Sequence, residues 1–119
     1  MLIRLFLSIP FSLVLLNSKS CNSNAASEIP KCMQQLITEY QNRPLQNPSA
    51  EFYEYEYKGQ KVYYMKPPCC DQMSKLYDAN CNVMCSPDGG IIGKGDGKCP
   101  DFFTERKNEK LIWKDPRQQ

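Results

Sequence analysis

Seven cysteines and no histidine define the chemical repertoire of this 119-residue chain. Without imidazole there is no Ser-His-Asp or Cys-His catalysis, no His-ligated zinc and no ordinary general base near neutral pH. The cysteines could act as thiolate ligands or as bridges. Zinc sites present Cys-x-x-Cys knuckles, and Cys81 and Cys85, with Cys69, Cys70 and Cys99, contain none. A second candidate is the glycine-rich run Ser86-Pro87-Asp88-Gly89-Gly90-Ile91-Ile92-Gly93-Lys94-Gly95-Asp96-Gly97-Lys98-Cys99. Backbone N–H groups of such a loop can cradle phosphate. Here Asp88 stands where a P-loop needs its first glycine, and Gly95 follows Lys94 in place of Ser or Thr. The alternation of Gly93, Gly95 and Gly97 is not the dinucleotide spacing either. Calcium is the third candidate, because Asp78, Asn80 and Asn82 begin like an EF-hand loop. Val83 then occupies the glycine position and Gly89 the place of the closing glutamate, so these residues read better as turn formers. Lys94-Gly95-Asp96 matches an integrin-type tripeptide, a pattern too short to carry meaning. No metal and no cofactor is expected.

Glu54 and Glu56 form a carboxylate pair, but Phe52-Tyr53-Glu54-Tyr55-Glu56-Tyr57 alternates like a half-buried strand. Period two predicts that Tyr53, Tyr55 and Tyr57 pack on a helix while both glutamates face water. Trp113 and the tyrosines read as core and not as a ligand platform. No catalytic residue emerges, and the chain is expected not to be an enzyme; an unpaired, redox-active Cys69 or Cys70 is the one enzymatic alternative.

The compartment follows from the N-terminus. Met1 to Arg4 is a short basic region and Leu5 to Leu16 an apolar run, too short for the roughly 20 residues a spanning helix requires. Residues 1–20 therefore read as a signal peptide. Ser20-Cys21 resembles a bacterial lipoprotein junction with Cys21 as the lipidated residue; Ser18 and Lys19 depart from that pattern, and cleavage after Ala25 or Ala26 is the alternative. Either way six cysteines remain for pairing, namely Cys32, Cys69, Cys70, Cys81, Cys85 and Cys99. An even number in an exported chain predicts three disulfides, whose connectivity the sequence leaves open among about 15 arrangements. The adjacent Cys69 and Cys70 are expected to reach different partners, because a ring between neighbours strains the peptide. Removing Arg4 and Lys19 with the leader leaves 13 basic and 13 acidic residues, so no electrostatic case for nucleic acid exists. Contact with a membrane is expected only through a lipid at Cys21.

The elements that must position these residues are short. Residues 21–28 read as a flexible tether, and 29–115 as one small domain, a size at which cross-links help stability. Ser27 and Pro30 suit a helix start, with Met33, Leu36, Ile37 and Tyr40 at helical spacing. Pro44 and Pro48 follow as breakers. The tyrosine–glutamate run and Lys61-Val62-Tyr63-Tyr64-Met65 form a hairpin around Lys58-Gly59-Gln60. A tighter hairpin runs from Leu76 to Cys85 around Asp78-Ala79-Asn80. Ser86-Pro87-Asp88-Gly89 suits a type I turn. Phe102-Phe103 adds core mass, a charged stretch leads to a last strand at Leu111-Ile112-Trp113, and residues 116–119 are expected to fray. The expected fold is α+β: one N-terminal helix on an antiparallel sheet of about four strands, stapled by disulfides.

The motifs Cys69-Cys70-Asp71-Gln72, Leu76-Tyr77-Asp78, Pro87-Asp88-Gly89-Gly90 and Gly93-Lys94-Gly95-Asp96-Gly97 resemble an uncharacterised family, a domain of unknown function in small exported proteins and lipoproteins of Bacteroidota. The resemblance spans about Cys32 to Trp113 and implies an exported compartment and a shared fold, with no activity to transfer. In layout alone the chain is also similar to cystatin-like and PepSY-like domains, though the cystatin glycine and Gln-Val motifs are absent. The expected role is a non-catalytic, envelope-associated binding or structural module with a protein or glycan partner. Its expected contact loop comprises Pro87, Asp88, Gly89, Gly90, Gly93, Lys94, Gly95, Asp96, Gly97 and Lys98. A secreted protease inhibitor is the alternative, because Cys85-Ser86-Pro87-Asp88-Gly89 and Gly97-Lys98-Cys99 echo the Kazal pattern without its spacing.

Overall fold

The computed structural model describes residues 29–69 and 71–117; the leader, the tether, Ser27, Cys21, Cys70 and the last two residues lie outside the described residues. The order of elements is α1 (Lys31–Gln41), β1 (Glu51–Tyr57), β2 (Gln60–Met65), β3 (Lys75–Tyr77), β4 (Val83–Cys85), α2 (Phe102–Glu105) and β5 (Lys107–Lys114). The strands form one antiparallel sheet in the order β4-β3-β2-β1-β5. The fold is thus α+β as expected, with five strands in place of about four. The added length comes from the charged stretch after Phe103. It extends the last strand back to Lys107 because Lys107, Lys110 and Lys114 fall opposite Glu56, Glu54 and Glu51 of β1, and opposite charges across a pair of strands stabilise the pairing.

The β1–β2 hairpin turns at Lys58 and Gly59, with φ of 50° and 76°. Two consecutive positive φ values are what a two-residue turn needs to match the twist of its strands. The second hairpin, β3–β4, closes over Asp78–Asn82. Asp78 accepts the backbone N–H groups of Asn80 and Asn82, both at 2.9 Å. The calcium-like alternation is therefore a turn held by its own carboxylate.

Both faces of the sheet are covered, and the layers differ from the expected arrangement. α1 lies on the face carrying Phe52, Tyr63, Met65 and Tyr77, into which it sends Met33 and Tyr40. The opposite face carries Tyr55, Tyr57, Val62, Tyr64, Leu76 and Cys85, packed against Cys99 and Phe102. The tyrosines of β1 thus pack away from the helix, and Glu54 and Glu56 lie on the helix side. The alternation in β1 correctly groups residues by face. It could not say which layer covers which face, because Phe52 shares its face with the two glutamates and is the residue that meets Tyr40, edge-on at 5.3 Å. Nor do both glutamates face water: Glu54 is only 8% exposed and ion-paired with Lys61 at 3.6 Å, while the exposed Glu56 accepts from Asn108 at 2.9 Å.

Phe102 is the keystone of the second layer. It has no exposed surface and meets the rings of Tyr55, Tyr57 and Tyr64 at 5.5, 5.4 and 5.7 Å. Its neighbour Phe103 is half outside. Arg117, in the tail expected to fray, donates to the carbonyls of Arg43 and Tyr40 at 2.8 and 3.2 Å while Asp115 orients its guanidinium. A cation there satisfies carbonyls that the end of α1 leaves without helical partners. Replacing Phe102 with alanine is expected to cost about 3–5 kcal/mol, and replacing the exposed Phe103 far less, read as the shift of the urea-unfolding midpoint.

Candidate functional site

The segment from Ser86 to Lys98 has no helix or strand of its own, yet its backbone is hydrogen-bonded on both sides of the Ile91-Ile92 tip. Its first part runs beside residues 72–74: the N–H of Ser74 donates to the carbonyl of Asp88 at 3.0 Å, and Gly90 to that of Gln72 at 3.1 Å. Ser74, fully buried, donates its hydroxyl to the Asp88 carbonyl and accepts the Asp88 N–H, both at 3.1 Å. The second part returns on the first, with Gly95 donating to Gly89 at 3.0 Å and Asp96 to Ser86 at 2.9 Å. The hydrogen bond of the type I turn expected over Ser86–Gly89 is not made: the chain bends at Asp88, the Ser86 carbonyl accepts from Asp96, and Gly89 bridges to Met73. The reversal lies further on, where Gly93 donates to Gly90 at 3.1 Å and Ile91-Ile92 form the tip.

Four tyrosine hydroxyls on this face each donate to a carboxylate: Tyr53 to Glu51, Tyr55 to Glu109, Tyr57 to Asp101 and Tyr64 to Asp88. Two of these bonds fasten the loop system to the sheet, since Asp88 lies within the glycine loop and Asp101 follows Cys99. Asp96 is clamped differently, accepting the N–H groups of Lys98 at 3.0 Å and Ser86 at 3.1 Å. Those bonds, the one from Lys98 first, hold its carboxyl below the usual value. Asp101 is also held down, by the Tyr57 hydroxyl and then by Lys58, whose ammonium stands 3.1 Å away. The tyrosines move the other way. Burial, and after it the bond to Asp88, pushes Tyr64 up, while Tyr53, held chiefly by Glu51, rises to about 12.

Cys85–Cys99 closes the base of the loop, and Cys32–Cys81 ties α1 to the β3–β4 turn. With sequence separations of 14 and 49, they correspond to about 3 and 4 kcal/mol of loop-closure stabilisation. Cys69 is disulfide-bonded as well, and the expectation that Cys69 and Cys70 reach different partners lies outside the described residues. Bridges of this kind persist in an oxidising compartment. Among the described residues no helix is long and apolar enough to cross a membrane.

The expected contact residues divide sharply. Pro87 is buried, and Asp88, Gly89, Gly90 and Gly95 are partly so, serving the loop's own construction; Gly93, Lys94, Asp96, Gly97 and Lys98 are exposed. Gly95 shows why glycine is required: at φ 65°, a Cβ there would lie 1.9 Å from the Ser86 carbonyl oxygen. The residues that the sequence reading passed over are Ile91 and Ile92, 90% and 82% exposed. With Met73 and Asp71 they border an open hollow of about 270 Å³. Their signal was present: two β-branched residues confined between Gly89-Gly90 and Gly93 have no room to enter a helix or strand and so must ride on a turn.

A helix, a five-stranded sheet and a cross-linked loop presenting two isoleucines define a disulfide-stapled α+β domain. The chain belongs to the family described as a domain of unknown function, DUF6970, whose profile matches residues 38–115. No curated protein and no solved structure matches it.

Replacing Gly95 with alanine is expected to destabilise far more than the about 1–2 kcal/mol of left-handed strain expected at Gly97, where a Cβ meets open space; urea midpoints of the two variants give the comparison. The pH dependence is two-sided. Asp96 and Asp101 have folded values below the ordinary 3.8, so their contribution is complete above that value and is lost as pH falls through the lowered ones. All seven tyrosines are raised above 10.0. The native state then keeps protons that the unfolded chain has released, and stability falls as pH rises above 10. Absorbance of tyrosinate should therefore show no ordinary step near pH 10.0 before unfolding.

Proposed function

We propose that the protein is a non-catalytic binding module of the cell envelope or the secreted space, whose contact surface is the tip Ile91-Ile92 with the flanking Met73. The single observation that carries this reading is the exposure of two adjacent isoleucines, 90% and 82%, at a tip whose base is closed by a disulfide and whose flanks, up to Gly90 and from Gly93, are hydrogen-bonded. A mobile apolar loop would lose entropy on docking; one already fixed does not, which favours binding. Large side chains displayed in this way act as anchors for a partner's pocket. The aliphatic tip suits an apolar hollow on a protein better than a glycan, since sugars stack on aromatic faces. Retention near a membrane through a lipid on Cys21 fits the same role. The protease-inhibitor alternative fits less well, because the reversal between Gly90 and Gly93 keeps the tip from lying extended in a cleft.

The test places a photo-crosslinking residue at position 92 and, as a control, at Lys58, with the full chain expressed in its own cells. Cross-linking to a discrete protein is expected from position 92 alone, and to be lost when Ile91 is replaced by aspartate with the thermal midpoint unchanged. Equal labelling from both positions, or labelling that survives Ile91→Asp, would overturn the reading.

A further inference from the structure

The two ends of the sheet are unlike. β4 is a three-residue edge next to the Cys85–Cys99 bridge, whereas β5 is an eight-residue edge, paired on one side with β1 and open on the other among the described residues. An edge strand offers alternate N–H and C=O groups to a further strand, and its side chains decide which strand can approach. Here the charged ones are Lys107, Lys110 and Lys114, with Lys114 paired to Glu51, and Glu109, which accepts from the Tyr55 hydroxyl. Residues three apart on a regular strand lie on opposite faces. Asn108, at φ 56°, inserts an extra residue, so that Glu54 and Glu56 of β1 stand opposite Lys110 and Lys107. Both lysines are thereby brought to the helix-side face, and both are exposed. Glu54 is in contact with Lys61 and Glu56 with Asn108, while Lys107 and Lys110 enter no ion pair among the described residues.

A second copy fits poorly. Antiparallel self-pairing of β5 about its centre would set Lys107 against Lys114, and like charges directly opposite one another destabilise a pair of strands. A strand carrying carboxylates has the complementary charge; on the inner side β1 already sets Glu51, Glu54 and Glu56 opposite Lys114, Lys110 and Lys107, with Glu51 ion-paired to Lys114 at 3.5 Å. We infer that the outer edge of β5 is a docking edge for an acidic extended segment of a partner protein, which adds to the sheet as a sixth strand. This surface is separate from the isoleucine tip and does not rest on it.

The test uses the full-length protein with two capped octapeptides, one alternating glutamate and valine, the other lysine and valine. Binding is read from the fluorescence of Trp113, the single tryptophan, which lies within β5. The acidic peptide is expected to bind saturably and to weaken as salt is added, and the basic peptide not to bind. The double variant Lys107→Glu with Lys110→Glu sets glutamates opposite Glu56 and Glu54 and is expected to lower the thermal midpoint; at a temperature where it stays folded it is expected to lose at least about tenfold in affinity for the acidic peptide and gain affinity for the basic one. The Ile91→Asp variant is expected to bind the acidic peptide unchanged. Absence of saturable binding, acidic-peptide affinity untouched by the charge reversal, or sedimentation showing that β5 closes a dimer of this chain would each overturn the inference.

Discussion

Burial of Phe102 is the interaction on which the rest of the molecule depends. The sheet is apolar on both faces, and among the described residues only one helix of useful length is available to cover it. The second face is covered by a segment without regular structure, and fixing such backbone costs about 1–2 kcal/mol per residue. Phe102 offsets part of that cost by filling the space among Tyr55, Tyr57 and Tyr64. The rest is offset by the two paired runs of the loop and by the Cys85–Cys99 closure, which lowers the entropy of the unfolded chain instead of adding native contacts. Displacing Phe102 would leave the glycine loop held only by its hydrogen bonds to residues 72–74 and Tyr64 and by the Cys85–Cys99 bridge.

The choice of tyrosine over phenylalanine on this face follows from the same shortage of material. A layer so thin leaves each ring with its outer end near water or near a loop, and a hydroxyl at that point can be bonded where a C–H cannot. Tyr57 and Tyr64 use it to hold Asp101 and Asp88, joining the loop to the sheet through charge-assisted bonds. Arg106 stacks between Tyr55 and Phe103 and donates to the Tyr55 hydroxyl, extending the same network towards β5. Hydrogen-bonded side chains of this sort are stiff, so the surface they support is presented in one conformation.

Display and packing therefore divide the loop residue by residue. Ser74, Pro87 and the Asp88 backbone are consumed in building it, and what remains outside is aliphatic at the tip and cationic further along the sheet at β5. Neither surface is needed for the core. An exposed Ile91 contributes little to folding, so its apolar surface is not explained by the core.

Much of this was legible from residue order. Helical spacing from Met33 to Tyr40, the hairpins centred on Lys58-Gly59 and on Asp78 to Asn80, and an oxidising compartment inferred from cysteine number and the leader all reflect local rules that act within a few residues. The grouping of Tyr53, Tyr55 and Tyr57 on one face was equally local. Which layer covers that face was not, because α1 and the Phe102 segment are both apolar and only the three-dimensional path of the chain assigns one to each side. The same holds for the turn at Ser86–Gly89, favourable by composition but displaced once the Ser86 carbonyl met Asp96. Cysteine pairing and the exposure of Ile91 and Ile92 likewise depend on what the folded chain brings near, or leaves bare. Local sequence determined the elements and their faces; tertiary contact decided the layers, the bridges and the surface, since those depend on distances between residues far apart in the chain.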